Sequence, residues 1–258
     1  MKVAGRAAQE IWVCHLGIVP YARGLAIQEH VRSLRQAGEL PDTLLALEHP
    51  PTYTRGRRSG AQDLPFPESF YEHKGIEVHA TRRGGKVTYH APGQLVGYPI
   101  MGVQDVVRHV RTIEAAIVAA LAQLGVAARA RPQDGPDYTG VWVQERKIAS
   151  IGVHVQRGVA SHGFAVNVAN DLEPFSWVLA CGLPHVQMTS LARESAGACE
   201  SLGCFRKRVA HAFCRAHGRR QRLVSPHRLG IDTTNASPRA QRAPIEPVST
   251  PAGEPLPA

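Results

Sequence analysis

The strongest constraint on the fold lies between residues 126 and 168, where β-type segments follow one another with no helical pattern between them. They occupy residues 126–130, 141–143, 148–155 and 159–168, and each is rich in Val, Ile or Ala. Strands clustered in this way, rather than alternating regularly with helices, predict an α+β chain with a mainly antiparallel or mixed sheet. A short apolar strand at 43–47 is stopped by His49-Pro50-Pro51, since proline cannot continue a ladder in a sheet interior. Helical periodicity marks residues 21–37, ending at Gly38, and residues 104–124, closed by Gly125. A last helix is expected over residues 194–217.

A chain of 258 residues with 43% hydrophobic and 20% charged residues has enough material for a sizeable core and no internal repeat. Residues 1–10 read as a flexible N-terminus and 11–231 as one folded domain. Residues 232–258 hold six prolines and no aromatic residue, which predicts a disordered tail. No stretch approaches the roughly 20 apolar residues of a membrane helix, and no signal or lipidation motif opens the chain. Five cysteines, an odd number, fit reduced thiols and a cytoplasmic setting without membrane partners.

The formal charge is +9, and seven basic residues with no acidic one fall between Cys204 and Arg222. A solvated helix face is the plain reading, and an acidic carrier protein or a nucleic acid the functional one. Low aromatic content and the lack of a binding motif speak against nucleic acid. Cys204, His211, Cys214 and His217 have zinc-like spacings. Helical phasing puts Phe205, Val209 and Phe213 on one face and His211, Cys214 and His217 on the other, so the segment reads as an amphipathic helix without metal.

Three places could carry chemistry. Residues 83–94 set paired glycines, a histidine and a Pro-Gly turn around one short strand, and such glycines let backbone approach a ligand. Lys147 opens an apolar strand, where a desolvated amine suits acid/base work. Cys181 precedes Gly182, and a thiolate is a good nucleophile toward thioesters once a cation or base helps it form. Each taken alone is better explained by structure: a turn, a solvated hairpin lysine and an inert core cysteine.

Taken together they form a pattern. Glu48-His49-Pro50-Pro51, Thr54-Arg55-Gly56-Arg57, residues 83–94, Gly140-Val141-Trp142, residues 146–152, residues 161–165, Asn167-Val168, Asp171-Leu172, Cys181-Gly182 and Thr189-Ser190-Leu191 stand in order along the chain. Over residues 16–213 the sequence resembles the octanoyltransferase family of lipoate biosynthesis. The resemblance implies a catalytic domain like that of biotin and lipoate protein ligases. It also implies transfer of an octanoyl group from octanoyl-acyl carrier protein to a specific lysine on lipoyl domains of 2-oxoacid dehydrogenases or the glycine cleavage H protein.

By the same resemblance Cys181 is the nucleophile that becomes an acyl thioester, and Lys147 is the acid/base that lowers the thiol pKa. Arg83, Gly84, Gly85, Lys86, Val87, Thr88, Tyr89, His90, Ser150, Ile151, Gly152, Gly163, Phe164 and Ala165 line the acyl pocket. No ATP and no metal is implied. Two departures stand out: Ala91 where the family has Gly, and Ala180 where it has Pro. Ala91 would be awkward at a positive φ, and Ala180 frees the backbone before the nucleophile. The competing enzymes are an ATP-dependent lipoate or biotin ligase on the same fold, and a thiol hydrolase pairing Cys181 with His90 or His162.

Overall fold

The computed structural model describes residues 9–183, 186–195 and 201–232. The expectations for the first ten residues and for 232–258 therefore lie almost wholly outside the described residues; Glu10 itself begins the first strand.

The chain runs β1 (Glu10–Ile18), α1 (Tyr21–Gln36), β2 (Thr43–Glu48), β3 (Thr52–Arg55), α2 (Glu68–His73), β4 (Glu77–Ala80), β5 (Val87–His90), β6 (Gln94–Ile100) and α3 (Val106–Ala122). It continues through β7 (Arg129–Ala130), β8 (Gly140–Val143), β9 (Arg146–Gln156), β10 (Val159–Asn167), β11 (Gln187–Met188), α4 (Leu191–Glu194), α5 (Leu202–Ala216) and β12 (Arg220–Val224). The main sheet has the order β12-β1-β2-β6-β10-β9-β8-β7, with β11 beside β9, and a small sheet has the order β4-β3-β5. In the main sheet β1 is parallel to β2 and β12, and from β2 to β7 each pair is antiparallel. The architecture is the α+β, mixed-sheet type that the clustered strands predict.

Alternation along the strands splits the core. Val13, Leu44, Ala46, Leu95 and Val166 face α3 and α5, whereas Cys14, Leu45, Leu47, Val96, Tyr98 and Ala165 face the side on which α1 packs through Ile27 and Val31. A third cluster, built on Tyr53, Tyr71, Tyr89, Phe175 and Ala180, lies under the small sheet.

Three local expectations need correction. Of residues 126–130 only Arg129 and Ala130 join the sheet, because Val126 is drawn back to the end of α3 by a bond from its N–H to the Leu121 carbonyl. The helix expected from 194 is two helices: α4 ends at Glu194, and α5 starts after Ser201, whose hydroxyl accepts the Cys204 N–H at 3.2 Å. Cys214 is buried rather than on a solvent face, because α5 packs against α3 and also against β1 and β12, which widens its buried stripe.

Pro99 has a larger consequence. It lies inside β6, between β2 and β10, and has no N–H to give. Pairing of β6 with β10 runs from Gln94 to Gly97 and resumes only where the Ala160 N–H meets the Met101 carbonyl. In the gap His162 takes a left-handed φ of 56°, and its N–H turns to Gln28 Oε1 at 2.7 Å.

Candidate active site

The gap in the ladder forms one wall of a cavity of about 610 Å³ between the main sheet, β5 and the turn that carries Cys181. Every residue that the resemblance puts in the site except Gly84 and Tyr89 lines it. Gly84 is held by its N–H to the Val153 carbonyl at 3.0 Å, and the Tyr89 ring packs on Tyr53 and Phe175 beneath the small sheet. Both stand outside the cavity because alternate residues of a strand point to opposite faces or because the backbone is spent on its neighbour.

At one end Lys147 Nζ donates to Cys181 Sγ at 3.2 Å, and the Ser150 hydroxyl is 3.8 Å from the same sulfur. Lys147 is almost fully buried, with its Nζ 5.2 Å from the centre of the Trp142 ring. Gly140 makes room for it: a Cβ there would lie 2.8 Å from Lys147 Cε and 2.3 Å from the Ala149 carbonyl oxygen. The Gly140 N–H is pinned at 3.0 Å by Glu114, a buried carboxylate that also pairs with Arg111.

Cys181 occupies a tight turn, Ala180–Gly182, with φ 57°, a conformation that costs a side-chain-bearing residue about 1–2 kcal/mol. Gly182 follows at φ 70°, and a Cβ there would strike Lys86 along its outer methylenes. Ala180 uses the freedom that a proline would lack: its N–H donates to the Val178 carbonyl at 3.0 Å. Ala91 has no positive φ, so its side chain brings no backbone strain.

Arg83 is buried in the cavity wall, donating to the Thr54 carbonyl at 2.5 Å, to Thr54 Oγ1 and to the Gly84 carbonyl. Its partners are neutral, burial lowers its pKa, and the compensating interactions come from Tyr21, Cys181 and Tyr98. At the far end stand His49, His90 and His162 beside Tyr21 and Tyr98. Burial holds all three imidazoles neutral, His49 down to about 4, His162 to about 3 and His90 well below its ordinary value. His49 must donate from Nδ1 to the Val19 carbonyl, which leaves Nε2 to accept the Tyr98 hydroxyl at 2.6 Å.

A buried chain of bonds leads back to the lysine. Gln94 donates to Tyr89 O and to Asn167 Oδ1, so its own oxygen accepts His90 Nδ1–H at 2.8 Å. Asn167 donates to the Thr189 carbonyl, and the Thr189 N–H bonds to the Lys147 carbonyl at 2.9 Å.

Sequence reasoning missed Tyr21, Val96, Tyr98, Arg58, Pro136, Asp137 and Thr139, all of which line the cavity. Tyr98 and Val96 lie on β6, whose Gly97 and Pro99 disguise a strand. Arg58 and Asp137 form an ion pair of 2.8 Å between loops that no pattern joins in the sequence. Among the described residues no group of three or more His, Cys, Asp or Glu side chains is arranged to hold a metal.

Comparison with known proteins agrees with this arrangement. The family described as the lipoyl protein ligase A/B catalytic domain matches residues 20–213. A lipoate-protein ligase A solved with ATP has the same fold, with a TM-score of 0.72 at 19% identity over 84% of this chain and 89% of the other. A bipartite lipoate protein ligase from Thermoplasma acidophilum gives 0.70 at 20% identity, over 84% and 87%.

Sequence relatives are narrower in kind. An octanoyltransferase of Acidobacterium capsulatum is 39% identical over 80% of this chain and 87% of its own length, and one of Rubrobacter xylanophilus is 46% identical over 69% and 80%. A mitochondrial octanoyltransferase of Arabidopsis thaliana is 41% identical over 72% and 79%. The chain belongs to the octanoyltransferases, acyltransferases within the lipoyl protein ligase A/B catalytic domain family.

Proposed function

We propose that this octanoyltransferase of protein lipoylation works in two steps, through an octanoyl thioester on Cys181, with acyl carrier protein as donor and a lysine of a lipoyl domain as acceptor. The 3.2 Å contact between Lys147 and Cys181 at the end of a mainly apolar cavity carries the reading. Lys147 accepts the thiol proton as Cys181 Sγ attacks the thioester carbonyl. The bond to the carrier's sulfur breaks, and Lys147 returns the proton to that thiolate. In the second step the acceptor amine attacks the octanoyl-Cys181 carbonyl, an amide forms, and Cys181 leaves as the thiol with the proton that the amine gives up.

Exchange of one thioester for another is nearly isoenergetic and thioester to amide runs downhill, so neither step draws on ATP or a metal. Gly85, Gly152 and Gly163 expose backbone to the chain and the carbonyl, with Ser150 beside the sulfur. The buried thiols Cys14 and Cys214 are pushed up to about 12 by desolvation, and the exposed Cys204 does not line the cavity, so among the described cysteines Cys181 is the one suited to the chemistry.

Incubation with octanoyl carrier protein followed by intact-mass analysis tests this. One hydroxylamine-labile octanoyl group is expected on Cys181, formed without ATP, retained by Cys14→Ala and absent from Cys181→Ala. Labelling of a different cysteine, or a need for ATP as in a ligase, would reject the mechanism.

A further inference from the structure

The basic stretch at 204–222 is the obvious surface for an acidic partner in the sequence, and the fold moves it away from the chemistry. Phe205, Val209 and Phe213 of α5 pack on the sheet face that carries Val13 and Leu95. Val96, Tyr98 and Ala165 line the acyl cavity from the other face of the same sheet. A partner that delivers a group to Cys181 does not meet the exposed Lys207 and Arg215 of α5.

A second basic surface surrounds the cavity itself. Arg58 and Lys86 line it, and Arg57 and Arg82 are exposed beside them. Two turns are locked together there: the Arg57 N–H donates to the Arg83 carbonyl at 3.0 Å and the Arg58 N–H to the Gly85 carbonyl at 3.1 Å. Arg82 lines a neighbouring hollow with His154 and Arg32, and that hollow shares His162 with the acyl cavity. His154 shares that hollow with Arg32 and Arg82, and partial burial, then the charges of Arg32, Arg57 and Arg82, keep it below its ordinary pKa.

Nearby carboxylates are already engaged, Asp137 by Arg58 and Glu29 by Arg32. Among the described residues no carboxylate pairs with Arg57, Arg82 or Lys86. This end of the molecule therefore presents uncompensated positive charge on a rigid support.

Position separates the two possible partners. Strand β9 carries Ser150, whose hydroxyl is 3.8 Å from the Cys181 sulfur, and His154 four residues further on, which at about 3.3 Å per residue is on the order of 13 Å. Arg57 and Arg82 thus stand at the rim of the cavity and do not line it with Cys181, and a partner held by them reaches the sulfur along an arm. A carrier whose acyl group hangs from a phosphodiester-linked arm has both the reach and the negative charge. An acceptor lysine has only the length of its own side chain.

Resting on the two-step reading above, we propose that Arg57 and Arg82 are the docking site of the acidic acyl carrier donor. They steer the donor without touching the reacting atoms, and the acceptor domain does not depend on them.

The test separates the half-reactions in the full chain. Acylation of Cys181 is measured with octanoyl carrier protein and with octanoyl-pantetheine, which has neither phosphate nor protein; transfer is measured from preformed octanoyl-Cys181 to an unmodified lipoyl domain. For Arg57→Gln/Arg82→Gln, half-maximal acylation at low salt is expected to need roughly fivefold more carrier, a difference that high salt removes. Acylation by octanoyl-pantetheine and transfer to the lipoyl domain are expected to match wild type, as is Lys207→Gln/Arg215→Gln in every assay. Unchanged dependence on carrier overturns the proposal. So does an equal loss with octanoyl-pantetheine, which reports a damaged cavity, or a loss confined to the transfer step, which assigns the surface to the acceptor. A wild type that never forms octanoyl-Cys181 overturns the underlying reaction, and the docking site with it.

Discussion

Lys147 is held by shape on every side: the Trp142 ring, the bare Cα of Gly140 and the sulfur of Cys181 leave it one place to put its Nζ. An amine so close to a thiol is placed to take its proton and to return it. Lys147→Ala is therefore expected to keep the fold and to slow octanoylation of Cys181 by about 100-fold or more at neutral pH. Raising the pH supplies thiolate by another route, so acylation of the variant should climb with pH more steeply than that of wild type. Parallel pH profiles for the two proteins, read by rapid-quench mass analysis, would remove Lys147 as the base.

Among elements, the strand pair β9 and β11 joins lysine to nucleophile. Gln187 and Met188 of β11 pair with Arg146 and Lys147, and the Arg146 guanidinium grips Glu194 with bonds of 2.9 and 3.0 Å. Glu194 also accepts the Thr189 hydroxyl at 2.5 Å, and Arg146 holds its carboxyl below the usual carboxylate range. The clasp ties the segment after Cys181 to the strand of Lys147. Glu194→Gln is expected to lower kcat several-fold with little change in KM for the donor, and Glu194→Asp to recover part of it. A wild-type kcat in Glu194→Gln would show that the clasp is ornamental to the reaction.

This junction also marks how far the sequence can be read. Helices α1 and α3 and strands β8 to β10 are legible because each carries its own period and ends at a glycine or a short turn. Of the small sheet only β5 is legible, as the short strand within 83–94, and β3, β4 and β6 are not: β6 is buried on both faces, interrupted by Gly97 and Pro99, and has no alternation to detect. Cys181 and Lys147 stand out only through the resemblance of many blocks, since a lysine and a cysteine 34 residues apart have no local signature. The tyrosines and histidines at the far end of the cavity come together through strand order, and strand order is a long-range property that local patterns do not encode.

For the whole molecule, the buried histidines set the acid limit of the fold. His49, His90 and His162 at the cavity, with His109 on the buried face of α3 and His15 on β1, are neutral in the native state because desolvation disfavours their charged forms; the two last are held down to about 4. In the unfolded chain each titrates near 6.5. Below that pH the unfolded state binds protons that the native state refuses, so stability falls as pH drops and is fully present only above 6.5. Each such imidazole adds a slope of up to about 1.4 kcal/mol per pH unit down to its folded pKa. Asp42 acts in the same direction at lower pH, since Arg35, Arg219 and the Gly102 N–H keep its carboxyl below its ordinary value despite burial. With several histidines acting together against a stability of roughly 5–15 kcal/mol, unfolding is expected between about pH 4 and 5. Denaturant midpoints should fall steadily from pH 7 to 4.5, and His162→Gln should flatten that fall because one refusing imidazole is gone. Midpoints that do not move over this range would mean that the histidines are protonated in the folded protein, in conflict with their burial.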